Sequence, residues 1–223
     1  MDVSITAKKT PGVVRRPQRA SAGDDTATKR RVIDAAVACI LECGFYRAST
    51  NEIARRAGVT WGVIQHYFGT REALMLAVLQ DGARHFAEVV EDAHVEGDTA
   101  VERVEQLMDI LTAHYGSPEF LAYLQVLLNM DHDPRTSVEV RKTMRDVAGR
   151  SQDHVRRLLR EGLGPAASTP DLATTVFLVL RGFAISQQLQ GTMGYDVSAP
   201  KADRAARQRR ILAGILAPYL EGD

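Results

Sequence analysis

A chain of 223 residues, 45% hydrophobic and 25% charged, can bury one medium core or two small ones and has the balance of a water-soluble globular protein. It has no apolar run of membrane-spanning length and no apolar signal core, and two cysteines are too few for a secreted disulfide framework; the expected compartment is the cytoplasm, with no membrane partner. The 28 basic and 28 acidic residues cancel, yet residues 1–72 hold 12 against 7 and the remainder 16 against 21, a basic end joined to an acidic body.

Residues 1–25 mix Pro, Gly, Ser, Lys and Arg without apolar periodicity and are expected to be a disordered basic arm. Val32, Ile33, Ala36, Val37, Ile40 and Leu41 then recur at helical spacing up to Gly44, a C-terminal cap. Ser49 and Glu52 have capping-box spacing and open a second helix that stops at Gly58. A short third helix runs from Thr60 to Phe68, and Thr70 caps a long fourth through Leu74, Val78 and Phe86. Five more helices follow: about Thr99 to Tyr115, Ser117-Pro118 to Met130, Thr136 to Leu163, Asp171 to Gln190 and Ala202 to Leu220. The fold class is therefore all-α, with about nine helices and no convincing strand.

Ala57-Gly58-Val59-Thr60 has the chemistry of a helix-turn-helix junction. Glycine takes the left-handed conformation that ends one helix, valine plugs the junction and threonine caps the next. The third helix can then lie in a major groove of double-stranded DNA. Ile64 and Phe68, four apart, face the core, leaving Gly62, Gln65 and His66 outward.

Residues Ile33–Val78 resemble the DNA-binding domain of the TetR family of transcriptional regulators. The resemblance rests on Gly44-Phe45, Ser49-Thr50, Ile53-Ala54, Ala57-Gly58-Val59-Thr60, Gly62, Tyr67-Phe68 and Thr70-Arg71-Glu72-Ala73-Leu74. It implies a three-helix domain over 26–72, followed by an effector-binding and dimerisation domain over 73–223. Thr50 would meet phosphate and Asn51 a base edge, with Thr60 beside them at the head of the third helix. Trp61, Gly62, Val63 and Gln65 occupy its base-reading positions; His66, Tyr67 and Arg71 occupy phosphate-contacting ones. Gln65 can pair bidentately with adenine, and Trp61 can meet a thymine methyl or pack on sugar. The family often has tyrosine at the Gln65 position and a basic or small residue at Trp61, so an unusual operator is expected.

In the C-terminal region, Leu172, Val176, Phe177, Leu178, Val179, Leu180, Phe183 and Ile185 make one helix apolar on nearly every face, which calls for cover on all sides. With Ile211, Leu212, Ile215, Leu216 and Tyr219 of the last helix it resembles the family's dimer interface, implying a homodimer. Arg181 interrupts the apolar helix and needs an ion-pair partner or an acidic ligand. Met108, Leu111, His114, Tyr115, Phe120, Tyr123, Leu124, Leu127 and Met144 are spaced to point inward from the middle helices. The resemblance places the effector cavity there, and with Phe177 and Arg181 these residues suit a small, largely apolar effector with a few polar contacts. No spacing of acid, base, nucleophile or metal ligands suggests an enzyme, a cofactor or a metal site. Asp131-His132-Asp133 is read as a polar connection, and Cys39 with Cys43 as packing residues. The function so implied is a repressor released from its operator by a small molecule.

Overall fold

The computed structural model describes residues 22–150, 152–189 and 201–220, and they are helical throughout apart from turns. In chain order the helices are α1 (Ala22–Cys43), α2 (Thr50–Ala57), α3 (Trp61–Phe68), α4 (Arg71–Glu91), α5 (Ala100–Tyr115) and α6 (Pro118–His132). They continue as α7 (Val138–Arg150), α8 (Gln152–Leu163), a 3₁₀ turn (Gly164–Ser168), α9 (Pro170–Leu189) and α10 (Lys201–Leu220).

Two boundaries differ from expectation. Helix α1 starts at Ala22, four residues inside the expected arm, because Asp24 and Asp25 in its first turn complement the positive end of the helix dipole. The rest of that arm, residues 1–21, lies outside the described residues. The helix expected over 136–163 is described as α7 and α8, on either side of residue 151, which is likewise outside.

Side-chain caps set several helix starts. Ser117 Oγ accepts from Phe120 N–H, with Pro118 at the first helical position where no N–H is needed. Thr99 and Glu102 form a reciprocal capping box at α5. At Ser49 the box is only half made: Ser49 Oγ accepts from Glu52 N–H at 3.2 Å, but the Glu52 carboxylate turns to Arg55 and Arg56 at 2.7–2.9 Å. Two guanidinium groups outcompete one backbone N–H for that carboxylate.

The described residues form two apolar cores. One gathers Val32, Ala36 and Ile40 of α1, Ile53 of α2 and Ile64 of α3 with Leu74 and Val78 of α4. It also takes in Ala122, Val126 and Met130 of α6 and Met144 of α7, so the first three helices are closed by the body behind them. The other joins Phe86 and Val90 of α4 to α5, α8, α9 and α10. Helix α4 thus carries its first half in one core and its second half in the other. Asp81, 7% exposed, sits between them and accepts from Arg30 of α1 at 3.0 Å and from Arg84.

Candidate nucleic-acid interface and cavity

The junction between α2 and α3 is set by Gly58, at φ 65° and ψ 34°, a conformation that costs any residue with a Cβ. Its N–H donates to the carbonyls of Ala54 and Arg55, closing α2, and half-buried Val59 packs on the first core. Ile64 is buried at 2% and Phe68 packs beside it, which fixes the rotation of α3. Trp61 is consequently 54% exposed, and Gly62, Gln65 and His66 are exposed with it. Val63 and Thr50 are half-buried, and Asn51 is exposed at the start of α2. Thr60 holds the N-cap backbone conformation, but its hydroxyl makes no cap hydrogen bond and stays at the surface.

Two expected phosphate ligands have partners within the protein. The Tyr67 hydroxyl donates to Asp25 Oδ1 at 2.5 Å, which raises its pKa, and Lys29 Nζ lies 5.5 Å from its ring centroid. Arg71 is half-buried, with its guanidinium 4.4 Å from the Phe45 centroid. It donates to the carbonyls of Phe45 at 2.6 Å and Ala48 at 3.3 Å. Arg71 therefore ties the start of α4 to the α1–α2 loop. Its charge turns inward because that loop leaves two carbonyls without helical partners.

A groove of about 720 Å³ runs beside α3, lined by Gly58, Thr60, Gly62 and His66 and, across it, by Thr28 and Arg31 of α1. Arg31 is exposed, and sequence reasoning missed it; its basic position on the outer face of α1 was the available signal. Arg55 and Arg56, by contrast, are committed to Glu52 and Glu42, and they hold the Glu52 carboxyl down at about 2.

Behind the first core lie two adjoining chambers. The inner one, about 360 Å³, is walled by Gly82 and Phe86 of α4, His114 and Tyr115 of α5, Phe120, Tyr123, Leu124 and Leu127 of α6, Met144 of α7 and Arg181 of α9. The outer one, about 620 Å³, is walled by Gln152, Arg156, Thr174 and Phe177 among others. Phe86, Tyr115, Ala148 and Arg181 line both. Met108 and Leu111, expected to face the cavity, line neither chamber and are 1% exposed in the second core. The wall given by α4 and α7 (Leu79, Gly82, Phe86, Val147 and Ala148) went unread in the sequence.

The His114 ring stacks on Phe86 at 4.2 Å, and burial drives its pKa to about 4, so it is neutral near pH 7. The Asp131–Asp133 loop is a helix end: His132 Nδ1 lies 2.8 Å from the Leu128 carbonyl, and Asp133 accepts from Arg135. Among the described residues no group of His, Cys, Asp or Glu could hold a metal ion, and no helix is long and apolar enough to cross a membrane. Cys39 and Cys43 are free thiols 3.6 Å apart.

This arrangement, a left-handed glycine between two short helices with the second turned outward, defines a helix-turn-helix protein. Residues 32–78 match the bacterial regulatory proteins of the tetR family. Over 62 residues the chain is 39% identical to the HTH-type transcriptional regulator BetI of Yersinia pestis (strain Pestoides F), covering 28% of this chain and 31% of that protein. Over 59 residues it is 41% identical to BetI of Escherichia coli O139:H28, covering 26% and 30%. The match spans about a third of the length of these curated relatives. Likeness of fold extends much further. The fatty acid degradation regulator FadR from Bacillus halodurans superposes with a TM-score of 0.61 at 21% identity, over 84% of this chain and 95% of that one. The multidrug binding protein EbrR complexed with imidazole does so at 0.55 and 24%, over 85% and 94%. FadR from Bacillus subtilis in complex with stearoyl-CoA gives 0.56 and 18%, over 86% and 96%. Over residues 32–78 the chain thus carries the sequence pattern of the tetR family of bacterial regulatory proteins, and beyond them the likeness is one of fold.

Proposed function

We propose that the protein is a cytoplasmic, homodimeric transcriptional repressor that grips double-stranded operator DNA through α3 and lets go when a small, largely apolar effector fills the inner chamber. The observation that carries this reading is α4. Its first turn packs beside the outward-facing α3, and Gly82 and Phe86 further along it wall the chamber. An occupant that displaces α4 shifts the reading helix with it.

Trp61, Gly62, Val63 and Gln65 read bases in this proposal, with Asn51 beside them. Thr50, Thr60, His66, Tyr67 and Arg31 serve phosphate, Tyr67 once its hydroxyl leaves Asp25. Arg71 acts from inside, by bracing the loop that α2 starts from. Effector binding falls to His114, Tyr115, Phe120, Tyr123, Leu124, Leu127 and Met144, with Arg181 at the junction and Phe177 in the outer chamber beside it. The stearoyl-CoA held by one structural neighbour supports an apolar-tailed effector by analogy of fold.

The dimer reading is supported by an apolar face without cover. Leu178 and Val179 of α9 and Ile211, Ile215 and Tyr219 of α10 are 40–66% exposed. A Cβ added at Gly182 or Gly214 would meet nothing within 4 Å, so another helix can approach both closely. The two halves of a dimer must match half-sites a helical turn or a multiple apart, which makes a small change in head spacing costly.

The test is footprinting of the protein on DNA flanking its own gene, repeated after adding a small-molecule extract of the source cells. One protected palindromic site that the extract releases is expected. Light scattering should give a dimer at micromolar concentration, and a monomer after Val179→Asp or Ile215→Asp with DNA affinity lost in parallel. Uniform protection, or a wild-type monomer, would contradict the reading.

A further inference from the structure

Resting on the effector-chamber reading above, we infer that the occupant is an amphiphilic monocarboxylate, its carboxylate held by Arg181 between the two chambers and its apolar body filling the inner one. Arg181 is half-buried and lines both chambers. Its guanidinium lies 5.3 Å from the Phe177 ring centroid, a contact that orients the group without neutralising it. Among the described residues no carboxylate comes within ion-pair distance of it, although eleven arginine–carboxylate pairs form elsewhere among them. Neither chamber has a single Asp or Glu in its lining. A partly desolvated cation in an apolar wall is unfavourable alone and becomes favourable when an anion shares its hydrogen bonds.

The number of charges follows from the other polar groups. Arg156, the second guanidinium in the lining, is committed to Asp153 at 3.0 Å. His114 is neutral, so it adds no charge. One free guanidinium matches one carboxylate, and an ammonium would find no acceptor of opposite charge. The head region has more to offer. His114 and Tyr115 are each 8% exposed, and neither the imidazole nor the hydroxyl has a hydrogen-bond partner among the described residues, against the general rule for buried polar groups. Both face the inner chamber, Tyr115 at its junction with the outer one. Beyond them the wall is aromatic and aliphatic: Phe86, Phe120, Leu124 and Met144. A straight-chain or aryl-alkyl acid fits this order of charge, polar contact and apolar depth.

The experiment is calorimetric titration of the full-length protein at pH 7.5 with decanoate, decanamide and decylamine, and with 4-phenylbutyrate against its amide. At least one carboxylate should bind about tenfold or more tighter than its amide, the factor expected for a charged hydrogen bond over a neutral one. Decylamine should be weakest of its series. Arg181→Gln should erase the carboxylate preference and leave amide affinity in place; the wild-type comparison stands by itself if that variant does not fold. Amides binding as tightly as the acids, tighter binding of the amine, or no binding in either series would overturn the inference. So would an Arg181→Gln protein that keeps the full preference. Operator release, measured separately, keeps the two readings apart. Amides that bind equally and release DNA sink the carboxylate site and leave the sensor. A strong carboxylate preference with no effect on DNA leaves the site and sinks the sensor.

Discussion

The backbone of Gly82 in α4 lies close against the ring of Tyr123 in α6: a Cβ at position 82 would sit 2.7 Å from Tyr123 Cδ2 and 2.9 Å from Cγ. The contact draws together the helix that reaches the reading head and the helix that walls the chamber. A mid-helix glycine costs up to about 1 kcal/mol in propensity against alanine, so close packing is what the residue provides.

Gly82→Ala is therefore expected to destabilise the fold by about 1–3 kcal/mol despite its better helix propensity, through overpacking against the ring. Pairing it with Tyr123→Leu should recover much of the loss, a coupling that a double-mutant cycle in thermal or urea unfolding would measure. Additive losses would mean the two residues do not meet.

Arg71→Ala should act on stability before it acts on DNA. The change leaves the Phe45 and Ala48 carbonyls without their donor and removes the contact on the Phe45 ring, a loss of about 1–3 kcal/mol. Affinity should fall alike for all sequences while the slope of log affinity against log salt stays the same. A slope flatter by one unit would show a direct phosphate contact instead.

The surface residues should separate into two behaviours. Gln65→Ala and Trp61→Ala are expected to cost about 1–3 kcal/mol at particular bases and to reorder a set of operator variants. Arg31→Ala, across the groove, should weaken all sequences and flatten the salt slope by about one. An unchanged ranking of operators after Gln65→Ala would remove that residue from base reading.

His114 gives the protein an acid-sensitive core. Its pKa falls from an ordinary 6.5 to about 4 in the fold, chiefly through burial. The unfolded chain therefore binds the proton more readily, and stability is complete above pH 6.5 and lost as pH drops from there towards 4. The loss amounts to roughly 3 kcal/mol. His114→Phe should flatten that part of the stability profile in urea unfolding between pH 4 and 7. A variant with the same slope as the parent would show that other groups carry it.

Much of the reading head was legible because its turn is made by local chemistry. Gly58, Val59 and the Ile64–Phe68 pair each act within a few residues, so their spacing shows their geometry. What escaped the sequence depends on contacts far along the chain. Arg71 turns inward to carbonyls 23 and 26 residues away, and Gly82 meets a ring on another helix. Helical period told which residues of α5 point inward, but not what they meet there. His114 and Tyr115 reach the chamber, whereas Met108 and Leu111 on the same helix meet packed side chains. The Ser49–Glu52 spacing likewise promised a full capping box, which the arginines at positions 55 and 56 divert.

In the proposed function α3 reads one DNA site as part of a dimer. Fluorescence anisotropy of the purified protein on duplexes tiled across the DNA flanking its gene, at physiological salt, tests it most directly. One duplex should be bound at least about a thousandfold tighter than the rest, by an even number of protomers, with that margin reduced by Gln65→Ala. Equal affinity for every duplex, or tight binding by a single protomer, would contradict it.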